Sequence, residues 1–351
     1  RDDMIPLVDL KKQTRQLERE IQRAIGEVLA ECHYVKGKWI EQFEEAFAQY
    51  CGGAYASAVS SGTAALHLAL LAAGVGPEDE VVTSPYTFIA TAEAITAAGA
   101  RPVFVDIHPG PLTIDPEKIE GVVTRRTKSI VPVDLYGQPA DLDAIREVAR
   151  VHGLTVIEDA CQAAGAQYKG RPIGGTSHLT CFSFYPSKTL GALGDAGAVV
   201  TNDLKAAEHV RLRRDHGQTE PGVHEVEGYN ARMDSIKAAV LLVKLQHLSR
   251  WNDARRRHAG QYDELLTDVE GVQIPAVMEY ANPVYALYKI RVRHRDRLQA
   301  HLRQRGISTG VYYPIPLHLQ AAYRYLGYKE GDFPVAEAAA ATSISIDKNL
   351  A

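Results

Sequence analysis

A chain of 351 residues, 46% apolar and 23% charged, can bury a large core and reads as two globular domains, which excludes a disordered or fibrous protein. Its net charge of −4 gives no electrostatic reason to expect nucleic acid or an anionic membrane as a partner. The four cysteines, Cys32, Cys51, Cys161 and Cys181, lack both metal-ligand pairing and disulfide density, and no long uncharged apolar segment occurs, so the expectation is a soluble cytoplasmic protein with reduced thiols.

In chain order, Leu17, Ile21, Ala24, Ile25 and Val28 recur at helical spacing within residues 15–30, and a second amphipathic helix is expected over 40–50. Residues 54–76 then read as strand, turn and helix. The turn Ser60-Ser61-Gly62-Thr63 puts hydroxyls and a glycine at a helix N-terminus, where free N–H groups and the positive dipole end suit either a phosphate or an ordinary N-cap. Residues 80–107 give a strand, a loop with Pro85, a helix with Phe88 just inside its start, and a further strand. An aromatic at that strand end could stack on a ligand ring or pack in the core, with Tyr86 as the alternative stacking residue.

The alternation continues with a strand ending near Gly137, a helix over 141–152, and the apolar run Leu154 to Ile157, which ends in Glu158 and Asp159. Repeated strand–helix units imply an α/β fold: a mostly parallel central sheet with helices on both faces. No GxGxxG follows any strand, which argues against a nicotinamide oxidoreductase. A buried carboxylate at a strand tip needs a cationic or protonated partner, and a pyridinium nitrogen would serve.

Further on, Lys188 stands between a strand of alternating small and aromatic residues and a turn bounded by Gly191, Gly194 and Gly197. A lysine presented at a strand end is either a solvated loop residue or a nucleophile. With Asp159 it makes up the pair that pyridoxal phosphate chemistry requires, an amine for a Schiff base and a carboxylate for the ring nitrogen. Helices are then expected over 203–214, 233–257, 258–268 and 295–305, with strands near Gln273, over 285–292 and over 307–311. The two helices and three strands beyond 257 form a compact α+β unit. Its segment Val311 to Leu319 is rich in proline and aromatics, with Tyr313 and His318 offering polar tips to a sugar-sized pocket or belonging to a structural proline loop.

The ordered blocks SSGTAAL, TSPYTFIATAEAI, PVDLYGQPAD, IEDACQAAGA, FSFYPSKTLGALGDAGAVVTND, GYNARMDSIKAA and YYPIPLHLQ resemble the DegT/DnrJ/EryC1/StrS group of sugar aminotransferases, with the fold-type I architecture of aspartate aminotransferase. The resemblance spans nearly the whole chain. It implies a large cofactor-binding domain over 1–245 and a small C-terminal α+β domain over 246–351. It implies Lys188 and Asp159 as catalytic residues of a pyridoxal 5'-phosphate enzyme that passes through pyridoxamine 5'-phosphate. Gly62, Thr63, Ala64 and Ser183 would hold the phosphate, Phe88 would stack on the ring and Gln162 would contact the phenolic oxygen. Asn230 would reach the neighbouring subunit's phosphate, so that a homodimer shares its active sites.

The implied reaction moves an amino group, from L-glutamate with release of 2-oxoglutarate, to a nucleotide-linked keto sugar. The ring position leans to C3, and Tyr185, Arg232, Tyr313 and His318 are candidate substrate contacts. A 4-keto sugar, a non-nucleotide cyclic ketone and a non-catalytic cofactor-binding regulator are the rivals. Two positions depart from the family's pattern: Lys237 replaces the usual glutamine, and Tyr312 the usual histidine. The chain also ends soon after Ile346, where relatives continue into a final helix.

Overall fold

The computed structural model describes residues 4–346. Two helices open it, α1 (Leu10–Glu31) and α2 (Lys38–Tyr50), burying the stripes Leu17, Ile21, Ala24, Val28 and Ile40, Phe43, Phe47 that the helical spacing marks. Strand and helix then alternate through β1 (Tyr55–Val59), α3 (Gly62–Ala72), β2 (Glu80–Thr83), α4 (Ala90–Ala97), β3 (Arg101–Phe104), β4 (Thr127–Val131), α5 (Leu142–His152) and β5 (Thr155–Asp159). The hairpin β6 (Gln167–Tyr168) and β7 (Arg171–Pro172) precedes β8 (Leu179–Ser183) and β9 (Gly197–Thr201). After α6 (Leu204–Arg213) comes a second hairpin, β10 (Gln218–Glu220) and β11 (Val223–His224).

Seven of these strands form one sheet, in the order β1-β9-β8-β5-β4-β2-β3. Neighbours from β8 to β3 pair in parallel, and β9 runs antiparallel to both β8 and β1. All but β9 therefore point the same way, as the strand–helix alternation requires. This is the fold-type I arrangement. Its central strands are apolar on both faces because helices cover both: β9 buries every residue from Gly197 to Thr201. The C-terminal ends of β1, β2, β4, β5 and β8 collect on one side of the sheet. Open α/β folds form their ligand crevices there.

The two helices expected over 233–257 and 258–268 are one helix, α7 (Ser235–Leu266), capped by the Asp234 carboxylate on the Lys237 N–H at 2.9 Å. No proline interrupts it, and tertiary contacts on both halves outweigh the preference of Gly260 against helix. The first half, to Trp251, packs in the core of the seven-stranded sheet. Ala259 instead joins Tyr288, Ile290, Val292 and Ile344 in a separate core. That second core backs the antiparallel sheet of β12 (Val272–Gln273), β14 (Tyr288–Val292) and β15 (Ser343–Ile346), with α8 (Arg295–Gln304), whereas the buried face of α9 (Pro334–Thr342) packs with Tyr86 and Phe104. The short β13 (Ala281–Asn282) pairs instead with β6.

The strand expected over 307–311 does not form. Only single bridges link Ile307 to Ile5 and Gly310 to Ser345. Beyond them Pro314 and Pro316 have no N–H to extend a ladder.

Candidate active site

The Asp159 carboxylate sits at the tip of β5, 5% exposed. Its Oδ2 accepts the Thr91 hydroxyl at 2.7 Å and its Oδ1 the Cys161 N–H at 3.2 Å. Thr87 lies 3.0 Å from the Thr91 hydroxyl and extends the chain. No cation pairs with Asp159 among the described residues; all its bonds come from neutral donors. The neighbouring Glu158 points to the other face, where the Thr180 hydroxyl donates to it. Burial pushes both Glu158 and the adjacent Asp134 up from the carboxylate range.

Lys188 lies in a tight turn after β8, with its N–H donated to the Tyr185 carbonyl at 2.8 Å. Gly191 closes the turn: a Cβ there would stand 2.2 Å from the Pro186 carbonyl oxygen. Behind it the buried Lys244 on α7 donates to the Gly191 carbonyl at 2.6 Å, and burial pulls that ammonium down to about 8. The Lys188 side chain is half-buried, and its amine makes no hydrogen bond or ion pair among the described residues. Asp159 accepts the Cys161 N–H, and the charges of both Asp159 and Lys188 act on the Cys161 thiol. Burial first and the Asp159 charge second raise that thiol well above its usual value, while the Lys188 charge opposes the rise.

The α3 N-terminus packs against the same point. A Cβ on Gly62 would lie 2.7 Å from the Ser183 Cβ and 2.9 Å from the Cys161 Sγ, so only glycine lets the helix start come this close to the ends of β8 and β5. Ser61 caps the helix, its Oγ accepting the Ala64 N–H at 3.0 Å. The Gly62 and Thr63 N–H groups, in the first turn, have no intrahelical acceptor. Of the three expected phosphate donors, Ala64 is thus already engaged by Ser61.

Phe88 lies two residues before α4 rather than inside it, and its ring is 53% exposed. Tyr86 cannot be the stacking residue. It is 1% exposed, and its hydroxyl is spent on the Tyr312 carbonyl at 3.2 Å. Tyr313 approaches Phe88 with ring centroids 5.9 Å apart. Its hydroxyl accepts the Gln162 Nε2 at 3.3 Å, while Gln162 Oε1 accepts the Tyr136 N–H at 2.8 Å. Burial, reinforced by the Asp159 charge, raises the Tyr313 phenol.

His318 is corrected. It is 2% exposed, and its Nε2 pairs with Glu337 at 2.9 Å beside the Phe333 ring, so it presents no tip to a cleft. Arg232 is likewise engaged, donating to Asp215 at 2.6 Å. Burial alone would raise the Asp215 carboxyl, but Lys36 and Arg232 outweigh it and hold it low. Asn230 is exposed, beside Ala231, whose carbonyl accepts the Ser60 N–H at 2.8 Å. Its side chain makes no hydrogen bond among the described residues. Tyr185 is 53% exposed.

Thr91 and Tyr136 are contacts that sequence reasoning missed. The available signal was a pair of hydroxyls, Thr87 and Thr91, flanking an aromatic at a strand end.

A phosphorylated pyridine fits these residues. The carboxylate lacks a cation, the amine is free to react, two helix N–H groups with the Ser183 hydroxyl form an anion cradle, and an aromatic face stands uncovered. Among the described residues no group of three His, Cys, Asp or Glu is placed to hold a metal, and no helix is long and apolar enough to cross a membrane.

The profile of the DegT/DnrJ/EryC1/StrS aminotransferase family matches residues 15–349. The chain is 46% identical to the "Pleiotropic regulatory protein" of Geobacillus stearothermophilus, over 97% of this chain and 92% of that one. It is 44% identical to the dTDP-3-amino-3,4,6-trideoxy-alpha-D-glucose transaminase of Streptomyces venezuelae, over 97% and 90% of the two chains. Among solved structures, ntda from Bacillus subtilis with bound cofactor PMP superposes with a TM-score of 0.90 at 32% identity, over 99% of this chain and 81% of that one.

Proposed function

The chain belongs to the DegT/DnrJ/EryC1/StrS aminotransferase family, and from that premise we propose that it uses pyridoxal 5'-phosphate to move an amino group from L-glutamate to a 3-keto sugar carried on a nucleotide. The observation that carries this reading is the Asp159 carboxylate, buried at the strand tip and served only by neutral donors, with the Lys188 charge felt at the neighbouring Cys161. The cofactor, when bound, supplies an electron-accepting ring that stabilises negative charge at the donor's Cα.

The protein's part is electrostatic and positional. Asp159 holds a proton on the ring nitrogen, and Thr91 fixes the carboxylate's rotamer. Lys188 is the amine that would hold the cofactor covalently and, when free, would move a proton at the donor's Cα. Gly62, Thr63 and Ser183 bind the phosphate at the helix N-terminus. Phe88 would stack on the ring, Gln162 would contact the phenolic oxygen, and Tyr185 and Tyr313 would contact the substrate. The exposed rings of Phe88, Tyr185 and Tyr312 need a cover that excludes water, and a second copy of the chain, contributing Asn230, supplies it in a homodimer with shared sites.

The test is to load the protein with pyridoxamine 5'-phosphate and screen nucleotide-linked 3-keto and 4-keto sugars for return of the lysine-bound pyridoxal absorbance, then to regenerate with L-glutamate. A response to 3-keto sugars is expected. A response to 4-keto sugars alone would move the ring position, and none from any nucleotide sugar would remove the substrate class. The name of the Geobacillus relative favours a second reading, a cofactor-binding regulator. That reading requires cofactor on Lys188 without turnover of any ketone.

A further inference from the structure

The strand β14 reads Tyr-Lys-Ile-Arg-Val, and its period of two puts Tyr288, Ile290 and Val292 into the small core and Lys289 on the opposite face. That face meets the large unit, and Lys289 is only 4% exposed. Among the described residues it has no carboxylate partner. Its amine donates instead to the Tyr136 hydroxyl at 2.7 Å and to the Tyr312 carbonyl, and it stands 3.9 Å from the Tyr136 ring centroid. Burial, with the Arg295 charge adding, pushes this ammonium well below the lysine range.

A buried lysine without an acid is costly unless its geometry is put to use. Three donors converge on one acceptor here: Lys289, the Tyr136 hydroxyl at 2.5 Å and the Tyr86 hydroxyl at 3.2 Å all point at the Tyr312 carbonyl. Tyr86 and Tyr136 come from loops after β2 and β4, whereas Lys289 and Tyr312 come from the C-terminal unit, so the cluster joins the two. Tyr136 itself has φ of 59°, a left-handed backbone that a bulky residue adopts only when its surroundings impose it. The same Tyr136 offers its N–H to Gln162, and the residue after Tyr312 is Tyr313, whose hydroxyl holds the other end of Gln162.

We propose that Lys289 is a positioning residue: by clamping Tyr136 and the Tyr312 carbonyl together it aims Gln162 and Tyr313 at the reacting ring beside Asp159. The proposal rests on the reading of Lys188, Asp159 and Gln162 as the cofactor's partners. Lys289 touches neither substrate nor cofactor, so its effect passes through the two ends of Gln162 and through Tyr313.

Lys289→Met keeps the length of the side chain and removes its donors. In the cofactor-free protein, amide exchange over residues 308–313 should quicken on the order of tenfold, because the Tyr312 carbonyl loses one of its three donors and Tyr136 loses the amine that holds it. In the loaded protein kcat should fall about tenfold while cofactor affinity changes less than threefold. In a Tyr313→Phe background the same substitution should cost less than twofold, since both changes act on one route. Unchanged exchange together with unchanged kcat, or fully additive losses in the double variant, would overturn the clamp. If Lys289→Met does not fold, Tyr136→Phe, which deletes the hydroxyl between amine and carbonyl, must give the same pattern or the proposal fails. The underlying reading fails differently: borohydride would then fix the cofactor on a lysine other than Lys188, whatever the exchange rates show.

Discussion

The rim of strand ends that carries Gly62, Asp159, Ser183 and Lys188 and the segment 307–320 that overlies it are built on opposite principles. Each residue of the rim stands at the end of a strand or the start of a helix. Its place follows from the parallel sheet, from the βα turns and from two close glycine contacts. The overlying segment has no strand or helix of its own over 307–316. It is held by bridges to Ile5 and Ser345, by the Leu317 N–H to the Pro85 carbonyl at 2.7 Å, and by the donors on Tyr312. Secondary structure can present a chemical group reliably, while a proline-rich loop takes its geometry from whatever it lands on.

Breaking the rim should abolish chemistry without unfolding the chain. Lys188→Ala removes a half-buried side chain whose amine is unbonded, so stability should hold within about 0.5 kcal/mol. Turnover should drop by at least about 10³-fold, because the covalent and proton-moving group is lost. Borohydride reduction and peptide mapping on the wild type check the assignment, and an adduct on Lys169 instead would defeat it.

Asp159→Asn keeps the Thr91 and Cys161 contacts but loses the negative charge. Cofactor binding should survive while turnover falls on the order of 10²-fold or more, measured by steady-state rates on the loaded protein. Near-normal turnover would take Asp159 out of the mechanism.

The support behind the rim should show in stability against pH. The Lys244 ammonium drops from 10.5 to about 8 on folding, so between those values the unfolded chain binds more protons than the folded one. Stability from this group therefore rises as pH increases from 8 to 10.5, by about 3 kcal/mol at most, and is flat below pH 8. The difference between wild type and Lys244→Met in urea-unfolding free energy should trace that rise. A pH-independent difference would show that the amine is not perturbed.

The smallest effect sharpens the comparison from the other side. His318→Ala in the overlying segment leaves Glu337 without one of its partners and should cost about 1–3 kcal/mol in unfolding free energy. It should change kcat less than twofold, since His318 faces Glu337 and Phe333 rather than the cleft. A kcat loss exceeding the loss of folded protein would return it to the substrate site.

Much of this was legible in the sequence. The alternation of strands and helices determined a parallel sheet, and the apolar run into Asp159 determined a buried carboxylate at a strand tip. The spacing of Gly191, Gly194 and Gly197 after a strand marked the turn that presents Lys188. These are local signals, readable because period and turn chemistry act over a few residues. Tertiary structure decided what no local pattern encodes. It turned His318 into the core against Glu337 and buried Tyr86 while leaving Phe88 open. It ran α7 straight through Gly260, and it set Thr91 from α4 against Asp159 and Lys289 from β14 against Tyr136. Each of these outcomes depends on which surface a side chain meets across the fold, at separations of 19 to more than 150 residues along the chain.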